Sequence, residues 1–162
     1  MTSDAVAEIV AQWRRQRPDL DPSPLLVLGR IARISAVTDP LLRPPFAAAG
    51  LGPGDFDALA TLRRAGSPLT PTALAEAMLV TSGAVTKRLD RLESRGLVVR
   101  STSAEDGRGR EVTLTPEGLR LADSLIEVHL ANERELLSAL SAEETTTLAE
   151  LLGKLMASLE NR

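Results

Sequence analysis

The chain has 162 residues, enough for one domain with a real core or one domain with helical extensions. Cys is absent and His occurs once, so disulfides and thiolate metal sites are excluded and an enzyme or metal-dependent regulator is poorly supported. A formal net charge of −3 argues against a protein that coats nucleic acid over its whole surface, and the aromatics Trp13, Phe46 and Phe56 are too few for a base-stacking platform.

Charge is distributed unevenly. Residues 81–110 hold seven Lys/Arg against four Asp/Glu, residues 1–80 hold eight of each, and residues 111–162 hold four against ten. A local basic footprint on an acidic body suits a site-specific DNA binder. No apolar run approaches the roughly 20 residues that span a bilayer. The N-terminus lacks the basic-then-apolar pattern of a signal peptide. A cytoplasmic protein without cofactor or metal is expected.

In chain order, Val6, Ile9, Val10 and Trp13 fall at i, i+3, i+4 and i+7, the stripe of an amphipathic helix that Pro18 stops. Ser23-Pro24 opens a second helix, expected to about residue 38, where Pro40 and Pro44-Pro45 should kink or interrupt it. A further piece reaches Ala48. After the turn Gly50–Gly54, Asp55 is a candidate cap for a helix over residues 56–64. Thr70-Pro71 starts a short helix to about Met78, and Thr81 or Ser82 caps the next, which Gly96 ends near Arg95. Residues 97–100 and 111–115 are β-rich and flank a polar loop, a hairpin. Thr115-Pro116 begins a long helix to about Leu140. Ser141-Ala142-Glu143-Glu144 is a capping box opening a last helix with Leu148, Leu151, Leu152, Leu155 and Leu159 on one face. The fold expected is mainly α with a small β-hairpin: a winged helix-turn-helix.

The helix from Ser82 carries two faces. Val85, Leu89 and Leu92 point to a core, while Gly83, Thr86, Lys87, Asp90 and Arg91 lie opposite. Gly83 permits close approach to a phosphate strand, and Ser82 sits where free helix N-terminal amides meet phosphate. Thr86 and Lys87 can reach base edges, and Arg91 is better placed for the backbone. Arg108 and Arg110 at the hairpin tip can enter a narrow minor groove, with Asp106 bracing the ribbon. A solvated helix face and an ordinary charged turn are the plain alternatives to these two readings. The order of the elements, a capped short helix before and a basic ribbon after, favours DNA.

Residues 55–115 resemble the winged helix-turn-helix of the MarR family of bacterial transcription regulators. The resemblance is carried by Ser82-Gly83-Ala84-Val85-Thr86-Lys87-Arg88-Leu89-Asp90-Arg91-Leu92-Glu93, by Gly96-Leu97-Val98-Val99-Arg100, by Asp106-Gly107-Arg108-Gly109 and by Leu114-Thr115-Pro116-Glu117-Gly118. It implies a homodimer on a pseudo-palindromic double-stranded operator, with half-sites about one helical turn apart. It also implies one intertwined domain: an N-terminal extension and dimerisation helices over 1–50, the DNA-binding region over 51–115, and C-terminal dimerisation helices over 116–162. Gly109 stands where the family wing usually carries an acid.

The N-terminal extension resembles that of the urate- and xanthine-responsive PecS-like and HucR-like subgroup, and the chain is similar to that subgroup in Gln12-Trp13-Arg14-Arg15, in Arg17-Pro18-Asp19-Leu20-Asp21-Pro22-Ser23-Pro24, in residues 56–64 and in Arg88-Leu89-Asp90-Arg91-Leu92-Glu93. That likeness implies a pocket for a small anionic effector, a purine or related metabolite, formed by Trp13, Asp57 and Arg88. On the residues alone, Arg88 lies at the edge of the apolar stripe, and Asp57 is a candidate carboxylate partner. A plain Asp57–Arg88 brace, with Trp13 filling a dimer groove, fits the same residues. Ala65 stands where the subgroup has an Asn, and Lys87 replaces another. His129, beside Leu125 and Ile126, is either a packed residue or, near a dimer axis, a pH switch. A helical protein-interaction module using the Leu-rich last helix, with no DNA role, is the remaining alternative.

Overall fold

Side-chain caps open four of the helices. Thr70, Thr115 and Ser141 accept from the backbone amides of Ala73, Gly118 and Glu144, and Glu144 returns the bond to Ser141 to complete the capping box. Asp4 accepts from Val6 and Ala7, a cap the sequence did not single out. The computed structural model describes residues 4–78, 80–102 and 110–161. Their elements are α1 (Ala5–Gln16), α2 (Pro24–Leu42), α3 (Pro44–Ala48), α4 (Asp55–Ala65), α5 (Pro71–Ala77), α6 (Ser82–Ser94), β1 (Val98–Thr102), β2 (Arg110–Leu114), α7 (Pro116–Leu136) and α8 (Ala142–Glu160). The fold is thus mainly helical with one small antiparallel ribbon. The residues form two compact units, 1–44 and 45–162. Among the described residues no helix is long and apolar enough to cross a membrane.

In the first unit α1 packs on α2 and buries Val6 and Val10. Helix α2 continues past Pro40 to Leu42, further than expected. Pro40 removes one intrahelical bond without ending the helix, and the break falls instead where Pro44 follows Arg43.

In the second unit Leu59, Leu74, Val85, Leu89, Leu92, Val98 and Val112 form a closed core, extended by Ala122 and Leu125 of α7. The ribbon pairs Val98 with Leu114 and Thr102 with Arg110. Leu69, just before α5, adds a bridge by exchanging both backbone hydrogen bonds with Val112, at 2.8 and 3.2 Å. The ribbon therefore grips both ends of the α5–α6 motif. Gly118, in the first turn of α7, lies so close to the ribbon that a Cβ there would come within 1.9 Å of the Leu97 carbonyl oxygen. Helix α7 ends at Leu136, a turn earlier than expected.

Candidate nucleic-acid interface

Helix α6 turns its apolar stripe inward: Val85, Leu89 and Leu92 are all at most 1% exposed. Its N-cap is Thr81, whose side chain makes no capping bond, so the cap expected of Thr81 or Ser82 is not made by Thr81. Gly96 ends the helix in the left-handed region, at φ +68°. Ser82, Gly83, Thr86 and Lys87 are exposed, and among the described residues nothing lies within 4 Å of a Cβ built at Gly83. The Thr86 hydroxyl donates to the Ser82 carbonyl at 3.1 Å, which orients the side chain and leaves its oxygen able to accept. Arg110 begins β2 and is exposed. Arg108, with Asp106 and Gly109, lies outside the described residues.

Both flanks of this exposed face are tied down. On one side, Arg88, Arg91 and Arg95 recur at i, i+3 and i+7 and reach back to residues 49–55. Asp55 is buried, and its Oδ1 accepts from Arg91 Nη2 at 2.6 Å while its Oδ2 accepts from Gly52 N at 2.9 Å and Arg91 Nε at 3.3 Å. The Asp55 carboxylate holds the Arg91 guanidinium above the ordinary arginine pKa. Arg95 donates to the carbonyls of Gly50 and Ala49 at 2.7 and 2.8 Å. Arg88 lies across Gly54, which has φ +76°, and a Cβ there would collide with the guanidinium at 2.2 Å.

On the other side the ribbon supplies Arg100, whose side chain is 17% exposed. It donates to Asp90 at 2.7 Å and lies 3.5 Å from Glu93. The Arg100 backbone amide also donates to Glu93 at 3.2 Å. These bonds fix the angle between ribbon and helix.

Two sequence expectations are corrected here. Asp55 does not cap α4: the N-cap is Gly54, and the carboxylate is spent on Gly52 and Arg91. A short polar residue before a helix signals a cap, but Asp55 stands one position inside and faces α6. Nor does Asp57 pair with Arg88. Asp57 is exposed, and among the described residues no ion pair joins the two. Arg88 Nη1 is buried and has no hydrogen-bond partner among the described residues. Trp13 lies on α1 in the first unit and is 46% exposed. Arg91, read as a backbone contact, has its guanidinium engaged by Asp55. Asp55, Arg95 and Arg100 were missed, although the 88–91–95 spacing was a legible signal of one common face. His129 packs against Phe46 and Phe56, with ring centroids 5.4 and 5.3 Å away, and its Nε2 lies 3.2 Å from Glu133.

The comparisons agree with this geometry. A profile described as the MarR family matches residues 49–109. The chain is 42% identical over 158 residues to the HTH-type transcriptional regulator PecS of Dickeya dadantii (strain 3937), covering 96% of this chain and 95% of that one. It is 32% identical over 134 residues to the multiple antibiotic resistance protein MarR of Salmonella typhimurium, covering 82% and 92%. Among solved structures, a mutant of E. coli MarR complexed with operator DNA is similar at a TM-score of 0.70 and 30% identity, over 88% of this chain and 96% of that one. The regulator SlyA is similar in fold at a TM-score of 0.74 and 19% identity, over 83% and 94%. A likeness to PecS that covers nearly the whole of both chains shows the family: the chain belongs to the MarR family of transcriptional regulators and is not an enzyme.

Proposed function

We propose that the protein is a homodimeric repressor that occupies a pseudo-palindromic operator and leaves it when a small anionic ligand binds. The observation that carries the DNA reading is the exposed strip of α6 between two immobilised flanks. Ser82 and Gly83 meet phosphate at the uncapped helix start, and Thr86 and Lys87 enter the major groove. Arg108 and Arg110 carry the wing into the minor groove. Arg91 adds a backbone contact only from the geometry Asp55 gives it.

The dimer is supported by α2 and α8, neither of which buries a residue. The effector reading rests on Arg88, whose buried Nη1 has no hydrogen-bond partner among the described residues. A donor of that kind is costly to leave unpaired, and an anion supplies what it lacks. Trp13, Asp57 and Arg88 are the proposed ligand residues, and a purine such as urate or xanthine is the proposed ligand. The ligand must bind the DNA-free state better than the bound one to act.

The test is in vitro selection of genomic duplexes by the wild-type dimer, then a gel shift with the selected duplex across salt and across urate and xanthine. Selection of a two-fold site, binding that weakens steeply with salt and release by a purine are expected. Failure to select any duplex overturns the DNA reading and leaves a helical interaction module in its place. Binding that no purine alters overturns the ligand alone.

A further inference from the structure

We propose that Asp55 and Arg95 are positioning residues for operator reading: through Arg91, and through the backbone of Ala49 and Gly50, they set the pitch of α6. The inference rests on the DNA-reading proposal above. It goes beyond it by assigning sequence discrimination to groups that touch no DNA.

Four bonds tie α6 and its C-cap to the first residue of α4 and to the turn before it. Two run from Arg91 to Asp55 and two from Arg95 to the carbonyls of Ala49 and Gly50. They are spaced along one side of the helix, so together they resist both tilt and rotation, which a single contact cannot do. Asp55 is itself pinned by the Gly52 amide, and it is 2% exposed. The fork geometry of arginine matters at both places. Each guanidinium makes two bonds from one rigid plane, which a lysine ammonium on a flexible stem cannot reproduce. A tilt of α6 about the clamps at Arg91 and Arg95 moves Thr86 and Lys87 relative to base edges as well as the helix start relative to phosphate. Phosphate contacts carry no sequence information, so a change in them acts alike on every duplex, whereas misplaced base contacts lower the preference for the selected site.

This predicts a signature that simple electrostatics reverses. Replacing Asp55 by Asn removes a negative charge near DNA, so Coulomb attraction alone would strengthen binding to every duplex. Loss of positioning weakens binding to the selected site only. The experiment measures fluorescence-anisotropy affinities of full-length wild type, Asp55→Asn and Arg95→Lys for the duplex selected by the wild-type protein and for a scrambled duplex, with circular dichroism confirming the fold. The ratio of specific to non-specific affinity is expected to fall about tenfold in Asp55→Asn and about threefold in Arg95→Lys, with scrambled-duplex affinity held or raised. Arg95→Lys keeps its charge and a half-exposed site, so it decides the matter if Asp55→Asn does not fold. A ratio at the wild-type value in Arg95→Lys, or in a folded Asp55→Asn, overturns the inference. So does a parallel fall on both duplexes. Failure of the wild type to select a site instead defeats the DNA reading on which the inference rests.

Discussion

The core around α6 and the two long apolar helices α2 and α8 solve the burial problem in opposite ways. Leu59, Leu74, Leu89 and Leu92 are each at most 1% exposed, enclosed by α4, α5, α6 and the ribbon of the same chain. Helices α2 and α8 are as rich in Leu, Ile and Val, yet Leu28 is 57% and Leu151 61% exposed. Apolar surface of that extent is costly in water and marks a face meant for another protein surface. The reading module is therefore complete within one chain, and the terminal helices are not. In the proposed dimer the second copy supplies the missing cover, and a two-fold operator follows from that symmetry.

The largest expected effect strikes the incomplete region. Leu152→Glu places a charge in the apolar stripe of α8. It should break the dimer, and loss of the second half-site should weaken duplex binding by on the order of a hundredfold or more. Sedimentation equilibrium gives the mass and a gel shift the affinity. A dimer of unchanged stability would show that α8 is not part of the interface.

A smaller effect is expected where the reading module meets α7. Gly118→Ala would bring a methyl group against the Leu97 carbonyl oxygen, which is backbone and cannot swing aside. The ribbon and α7 must separate, at a cost of about 1–3 kcal/mol or more, read as a lowered denaturation midpoint. Wild-type stability in that variant would mean that the ribbon moves freely on α7. This test separates the two regions, because it disturbs the module's own packing and leaves the apolar faces of α2 and α8 intact.

Most of the fold was legible in the sequence because its signals are local. Thr70, Thr115 and the Ser141–Glu144 pair announce helix starts, Gly96 an ending, and the 85–89–92 spacing a buried stripe. The 88–91–95 spacing marks one common face, but the partners of the clamps were not legible, because they lie far off in the chain. Asp55 reads as a cap until its carboxylate is seen to meet Arg91, 36 residues on. Arg100 is an ordinary strand residue until Asp90 and Glu93 are seen beneath it. Leu69 gives no strand signal, since its bridge to Val112 is a single pair. The Asp57–Arg88 pairing failed for the same reason. Neither residue's spacing determines where its side chain goes, and Arg88 lies over Gly54 instead.

The smallest effect concerns the first unit, where the comparison becomes sharper, because α1 covers α2 only in part. Val6 and Val10 are buried on α2, while Ile31 and Ile34 of α2 stay 38% and 58% exposed. The α1–α2 pairing is reinforced at one end by Asp4, which caps α1 and accepts a hydrogen bond from Arg30. That bond, more than any other influence, holds the Asp4 carboxyl below its ordinary pKa. A carboxyl with a lowered folded-state pKa adds stability that is fully present above its unfolded value and fades as pH falls through the folded one. Docking of α1 should therefore be insensitive to acid down to about pH 4 and weaken below it. Trp13, the only tryptophan and itself on α1, reports the change by fluorescence. Asp4→Asn keeps a cap oxygen but removes the titrating charge, so the acid-dependent part of the signal should vanish while α1 still forms. An identical acid transition in that variant would place its origin in another carboxylate and leave the hydrophobic contact of Val6 and Val10 as what holds α1 to α2.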